Sequence, residues 1–276
     1  MKNVDLRTVE GFGDEWTRFD YADAAKQDVR RIFADYFAVF PWSILPQDAV
    51  GFDAGCGTGR WALFVAPKVG MLHCVDASED ALGVARRMLD SVVNVAFHHA
   101  SIAELPLRDC SMDFGYSLGV LHHVPDTGAA IASCVRKLKP GAPLLLYLYY
   151  AFDNRPPWFR SVWRGSDAIR RVVSRLPHSL RYGVSQALAA TVYWPLARGA
   201  RVLERLGVNV EGLPLSAYRN RSFYVMRNDS LDRFGTRLER RFTKAEMRTL
   251  MEDAGLSDVR FHDGVPYWCA VGFKKA

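Results

Sequence analysis

Asp53-Ala54-Gly55-Cys56-Gly57-Thr58-Gly59-Arg60 is the stretch that decides how this chain reads. It stands where a short apolar run over 49–53 hands over to a helical pattern over 59–68. Glycines at such a handover allow a tight turn and let the main chain approach a ligand, with helix N-terminal amides facing an anion. The dinucleotide fingerprint needs a further glycine where Arg60 stands, and it leaves Asp53 without a role. No Gly-Lys-Ser/Thr follows, which excludes a P-loop.

A ligand with a carboxylate, an ammonium group and a ribose suits the stretch better. The amides of residues 55–59 would take the carboxylate and Asp53 the ammonium, with a second acid at the end of the next strand for the ribose hydroxyls. Asp76 stands there, 23 residues after Asp53. S-adenosylmethionine has these groups.

Outward from the loop, short apolar runs alternate with amphipathic segments. Strands are expected over 49–53, 71–76, 95–99, 112–120 and 142–150, and helices over 59–68, 78–89 and 127–138. Near-continuous apolar strands between helices indicate a parallel sheet covered on both faces. Ser78 followed by Glu79 and Asp80 is a helix start, and Pro140-Gly141 a stop. Thr243 and Glu246 have capping-box spacing, and two last strands are expected over 258–263 and 267–273. The N-terminal part reads as a loop followed by a helix over 21–40, closed by Pro41.

The glycine stretch resembles motif I of the class I S-adenosylmethionine-dependent methyltransferases. Later segments resemble that family in the same order: residues 100–107 (ASIAELPL), which would border the adenine; 112–114 (MDF) with 117–123 (SLGVLHH), the fourth strand and its loop; and 138–142 (LKPGA), the turn before strand five. The resemblance covers about 45–150 and 240–276. It implies an α/β Rossmann-like seven-stranded sheet, parallel with one antiparallel strand, with a helical insertion after strand five. It also implies methyl transfer from S-adenosyl-L-methionine, with contacts from Asp53, Gly55, Cys56, Gly57, Gly59, Asp76, Ala77, Ser101, Ile102 and Leu118. The family usually carries an acid where Ser101 stands; a hydroxyl there bonds without charge, and charge-assisted bonds are about twice as strong. Residues 11–19 (GFGDEWTRF) resemble a segment that folds over the cofactor pocket, with Trp16 as an aromatic lid suited to a sulfonium.

His122 and His123 follow strand four and are candidate catalytic bases, histidine titrating near neutrality; positioning of donor and acceptor is the competing source of rate. His98 and His99 point to opposite strand faces and do not suit one ion. Asp153-Asn154 reads as a turn, and no metal is expected. Five cysteines without a Cys-x-x-Cys pair fit a reducing, cytoplasmic compartment. With 49% hydrophobic and 24% charged residues, the composition excludes disorder and a disulfide mini-scaffold.

The expected organisation is an N-terminal lid and helix over 1–45, a donor-binding core over 46–150, a helical insertion over 151–235 and the end of the core over 236–276. Charge is concentrated in the insertion. Residues 155–205 hold ten arginines, no lysine and two acids, +8 in a chain of net +6. The arginines have three readings: first a solvated face, then a site for an acidic or phosphorylated acceptor or a peripheral contact with the inner membrane surface beside the apolar stretch 182–197. That stretch, 16 residues interrupted by Pro195, is too short to span a bilayer. The expected acceptor is a small molecule, acidic or lipid-like, and no nucleic acid is expected. Alternatives are a lipid or quinone-type methyltransferase at a membrane surface and a non-catalytic partner subunit that binds the donor.

Overall fold

In the computed structural model, which describes residues 2–19 and 26–276 (backbone alone at 26 and 27), the alternation becomes a sheet of seven strands. Helices α1 (Leu6–Arg18) and α2 (Lys26–Tyr36) precede β1 (Val50–Ala54), and α3 (Ala62–Val65) leads to β2 (Met71–Asp76). Next come α4 (Glu79–Met88), β3 (Val95–His99), β4 (Phe114–Leu118), α5 (Thr127–Lys137) and β5 (Pro143–Tyr147). Four helices follow: α6 (Pro157–Val173), α7 (His178–Leu188), α8 (Trp194–Arg205) and α9 (Phe223–Gly235). Helix α10 (Lys244–Asp253), β6 (Leu256–Phe261) and β7 (Cys269–Lys274) end the chain. The strand order is β3-β2-β1-β4-β5-β7-β6, and β7 alone runs against its neighbours.

The chain divides into two compact units. The first contains α1, Val29–Ala151 and Leu238–Ala276, and so the whole sheet. One sheet face packs Phe52, Ala54, Leu144 and Leu146 with Ile131 of α5 and Met251 of α10. Elsewhere in this unit an aromatic group joins Phe37 to Tyr116 and Phe40 to Phe114, with ring centroids 5.3 and 6.0 Å apart. Strands β1 and β4 interlock closely. A Cβ on Gly51 would lie 2.2 Å from the Phe114 ring, and one on Gly115 would lie 2.3 Å from the Phe52 ring, so each glycine is the space its neighbour's ring fills.

The structure differs from the sequence reading at several boundaries, each for a local reason. Residues 6–18, read as loop, form α1; Asp5 caps it by accepting from the Thr8 amide. Gly13, which looks like a helix breaker, is a contact point, since a Cβ there would stand 2.9 Å from Ser78 Oγ. Of the helix expected over 21–40, residues 21–25 lie outside the described residues and the remainder ends at Tyr36. The helix expected over 59–68 shrinks to α3 plus a 3₁₀ turn (Ala66–Lys68), because Gly59 holds φ +76° and Pro67 cannot donate to a helix. Strand β4 stops at Leu118 because Gly119 turns the chain at φ +76°. The Ser78 cap and the Thr243–Glu246 capping box form as expected.

The second unit holds Phe152–Arg237. Helices α6 and α7 pack on α9, and Val173, Tyr193, Ala197, Met226 and Phe234 form its core. Three arginines serve structure here. Arg181 donates to the Gly235 carbonyl and Arg170 to those of Thr236 and Arg237, which caps the C-terminal end of α9. Arg198 donates to the Arg219 and Arg221 carbonyls.

Candidate active site

Asp53 comes next to last in β1, so the pleat turns it away from the Phe52 and Ala54 face. Register sets it between Cys74 of β2 and Tyr116 of β4. Its side chain is buried, and neither carboxylate oxygen meets a hydrogen-bond partner among the described residues. Burial pushes its pKa up to about 8, with Asp76 adding to the rise; the nearby Tyr116 hydroxyl and Arg60 pull the other way. Interaction with the Cys74 thiol, and then burial, hold the Cys56 thiol well above its ordinary range, which keeps it protonated.

Three glycines shape the loop that follows. Gly55, Gly57 and Gly59 all have φ between +54° and +85°, where other residues are strained. Trp16 of α1 lies on Gly57: a Cβ there would meet the indole Nε1 at 3.2 Å. The guanidinium of Arg60 is 4.9 Å from the Trp16 ring and 4.5 Å from the Trp61 ring. The N-terminal helix therefore closes over the glycine turn through aromatic and cation–π contacts.

Asp76 ends β2 and ties the site together. Its Oδ2 accepts from the Gly57 amide at 2.9 Å and its Oδ1 from the Ser78 amide at 2.9 Å. Burial raises its pKa, while the Ser78 and Gly57 amides oppose the rise. A carboxylate accepts about four hydrogen bonds, so each oxygen keeps capacity for a hydroxyl. Ala77, between these two anchors, gives its carbonyl to His99 Nε2 at 3.0 Å. After β3, Ser101 is buried and its hydroxyl has no partner among the described residues; Ile102 is buried beside it. Leu118 is buried at the end of β4.

His122 and His123 lie in a 3₁₀ turn (Leu121–His123) just after β4. Both are buried. The His122 ring stacks on Tyr149 at 3.8 Å and 30°, and 3.9 Å from His123. Neither ring nitrogen of His122 has a hydrogen-bond partner among the described residues. Burial, with His123 and Arg241 near, drives its pKa well below the usual histidine range, so the imidazole is neutral. His123 Nδ1 donates to the Leu238 carbonyl at 2.7 Å, and its ring lies 4.9 Å from Phe12.

The first unit thus brings Trp16, Asp53, the glycine turn and Asp76 together. Sequence reasoning took Arg60 only as an argument against a dinucleotide and overlooked Tyr149. The aromatic run Tyr147-Leu148-Tyr149-Tyr150 was the available signal for the latter. A buried carboxylate without a partner, an orphaned serine hydroxyl and a carboxylate with spare lone pairs fit the ammonium, adenine and ribose of S-adenosylmethionine.

The methyltransferase-domain family model matches residues 52–146, from β1 to β5. A ubiquinone biosynthesis O-methyltransferase of Hahella chejuensis is 29% identical over 186 residues, covering 64% of this chain and 74% of that protein. A protein of Encephalitozoon cuniculi assigned as a methyltransferase is 32% identical over 167 residues, covering 58% of this chain and 71% of its own. An S-adenosylmethionine-dependent methyltransferase of Thermotoga maritima shares the fold, with a TM-score of 0.51 at 18% identity over 98% of this chain and 100% of that one. With the glycine turn, Asp76 and the seven-stranded sheet in place, the chain belongs to the class I S-adenosylmethionine-dependent methyltransferases and uses S-adenosylmethionine to methylate a small molecule.

Proposed function

We propose that the acceptor is a lipid-like molecule methylated on an acidic oxygen, such as a phenol, and that the chain meets it beside a membrane through residues 155–205. The observation that carries the oxygen reading is His122. A buried, neutral imidazole whose ring nitrogens have no hydrogen-bond partner among the described residues can take the proton that an attacking hydroxyl must lose. Relatives named ubiquinone biosynthesis O-methyltransferase support the same chemistry.

The donor, when bound, supplies a methyl group activated on sulfonium. Asp76 accepts the ribose hydroxyls while the Gly57 and Ser78 amides hold its carboxylate still. Asp53 pairs with the ammonium; the amides of the turn, expected to take the carboxylate, are engaged within the protein instead, Gly55 and Cys56 donating to the Val75 carbonyl and Gly59 to that of Cys56. Ser101 and Ile102 border the adenine, with Ala77 and Leu118 beside the nucleoside. Trp16 excludes water and presents an aromatic face to positive charge. His123, fixed by Leu238, orients His122 through ring contact. Proximity and orientation supply most of the rate, and His122 moves the proton.

The test follows S-adenosylhomocysteine release with three acceptors: a catechol bearing a long alkyl chain, its short-chain homologue and a primary amine. The long-chain catechol is expected to give the highest kcat/KM, by tenfold or more. Turnover with the amine alone would refute oxygen methylation, and equal turnover of the two catechols would refute the lipid-like acceptor.

A further inference from the structure

Helix α6 leaves much of its apolar side exposed. At 100° per residue, Trp158, Val162, Ile169 and Val172 fall within an arc of about 80°, with Gly165 in the same row. They are 50, 56, 50 and 64% exposed. The buried side combines Val173, with Phe159 and Trp163 half-buried, and an ionic cluster. Asp167 accepts from Arg170 Nε at 2.7 Å and lies 3.6 Å from Arg233 of α9, and all three side chains are nearly excluded from water. An ordinary surface helix buries its apolar stripe and shows its charges. Here four large apolar side chains in one row face outward, which marks an interaction surface.

The charges on the helix's exposed polar face indicate its partner. The rest of the exposed surface of α6 carries Arg160, Arg164 and Arg171, with Arg175 just beyond its end. Asp167, the helix's one acid, is buried and compensated by arginines. Long arginine stems can lie along apolar surface while their heads reach phosphate oxygens. A second copy of the chain is a poor occupant, because two such faces would bring like charges together. Among the described residues, no helix is long and apolar enough to cross a membrane. An apolar row with an arginine-rich polar face on one flank, its nearest member Arg164 about 80° round the helix from Val172, is the pattern of a helix lying in the headgroup layer.

We propose that α6 docks on an anionic lipid bilayer, with Trp158, Val162, Ile169 and Val172 immersed and the exposed arginines of its polar face, Arg160 and Arg164, drawn to the anionic surface. The inference rests on the reading that the chain works beside a membrane, and not on which acceptor it methylates. It is tested by co-sedimentation of the full chain with phosphatidylcholine vesicles, with and without phosphatidylglycerol, alongside calorimetric titration with S-adenosylmethionine. Wild type should bind the anionic vesicles and barely the neutral ones. Losing two arginines in Arg160→Gln/Arg164→Gln should weaken binding about thirtyfold. Val162→Asp/Ile169→Asp should weaken it at least tenfold, and donor affinity should stay unchanged in both variants. Equal binding to both vesicle types, or full binding by Val162→Asp/Ile169→Asp, overturns the proposal. So does a wild-type dimer that this variant converts to monomer in sedimentation velocity, which would assign the row to a second copy. Absence of donor binding in the wild type would instead strike the donor-site reading and leave vesicle binding to be judged separately.

Discussion

Donor binding should release a proton from Asp53. Burial holds this carboxyl at a pKa of about 8, so about nine-tenths of it is protonated at pH 7 in the donor-free protein. An ammonium beside it favours the ionised form, so binding expels the proton. Affinity for S-adenosylmethionine should therefore rise about twentyfold between pH 6 and pH 8, the donor's own amine, which titrates near pH 8, already opposing the rise there and causing a fall above it. Folding carries the opposite sign. Because the folded pKa lies above the unfolded value of 3.8, the stability Asp53 contributes is complete below pH 3.8 and is lost as pH rises through about 8. The slope approaches about 1.4 kcal/mol per pH unit at most. Calorimetry at pH 7 in two buffers of different ionisation enthalpy counts the released protons. Asp53→Asn should release almost none and lose the rise in affinity. Equal proton release by Asp53→Asn, or a flat affinity between pH 6 and pH 8, would refute the pairing of Asp53 with the ammonium.

Two further tests probe packing and chemistry. Gly115→Ala forces a methyl group to within 2.3 Å of the Phe52 ring and should cost about 1–3 kcal/mol in denaturant unfolding; Gly199→Ala, with open space around it, should be neutral or slightly stabilising. Equal effects would show that the β1–β4 interlock is not tight. His122→Asn should lower kcat by about 10²–10⁴-fold with donor affinity unchanged. Because burial holds the His122 pKa well below 6.5, wild-type kcat should be level from pH 7 to pH 8; a steep rise with pH across that interval would contradict a neutral His122 base.

The donor loop and its two acids were readable because their chemistry is local. A strand end, three positive-φ glycines and an acid at the next strand end all follow from short-range spacing. Strand order and the antiparallel β7 came with the family resemblance. Helix α1 was missed because Gly11 and Gly13 look like breakers, although Gly13 is small to admit Ser78. The arginine cluster could be counted but not sorted. Arg170, Arg181 and Arg198 bond to carbonyls brought near only by tertiary folding, whereas Arg160 and Arg164 stay at the surface. Periodicity marks α6 as amphipathic and is silent on which face turns inward. The burial of His122 depends on Tyr149, 27 positions away, which no local pattern announces.

Asp76 offers the most direct measurement. S-adenosylhomocysteine and its 2′-deoxyribose analogue should be titrated into wild type and Asp76→Ala. Hydrogen bonds to a charged group contribute about 1.5–3 kcal/mol, so wild type should prefer the ribose form by about 10- to 100-fold, and Asp76→Ala should bind both forms alike. An undiminished preference in a folded Asp76→Ala protein would mean that the nucleoside sits elsewhere.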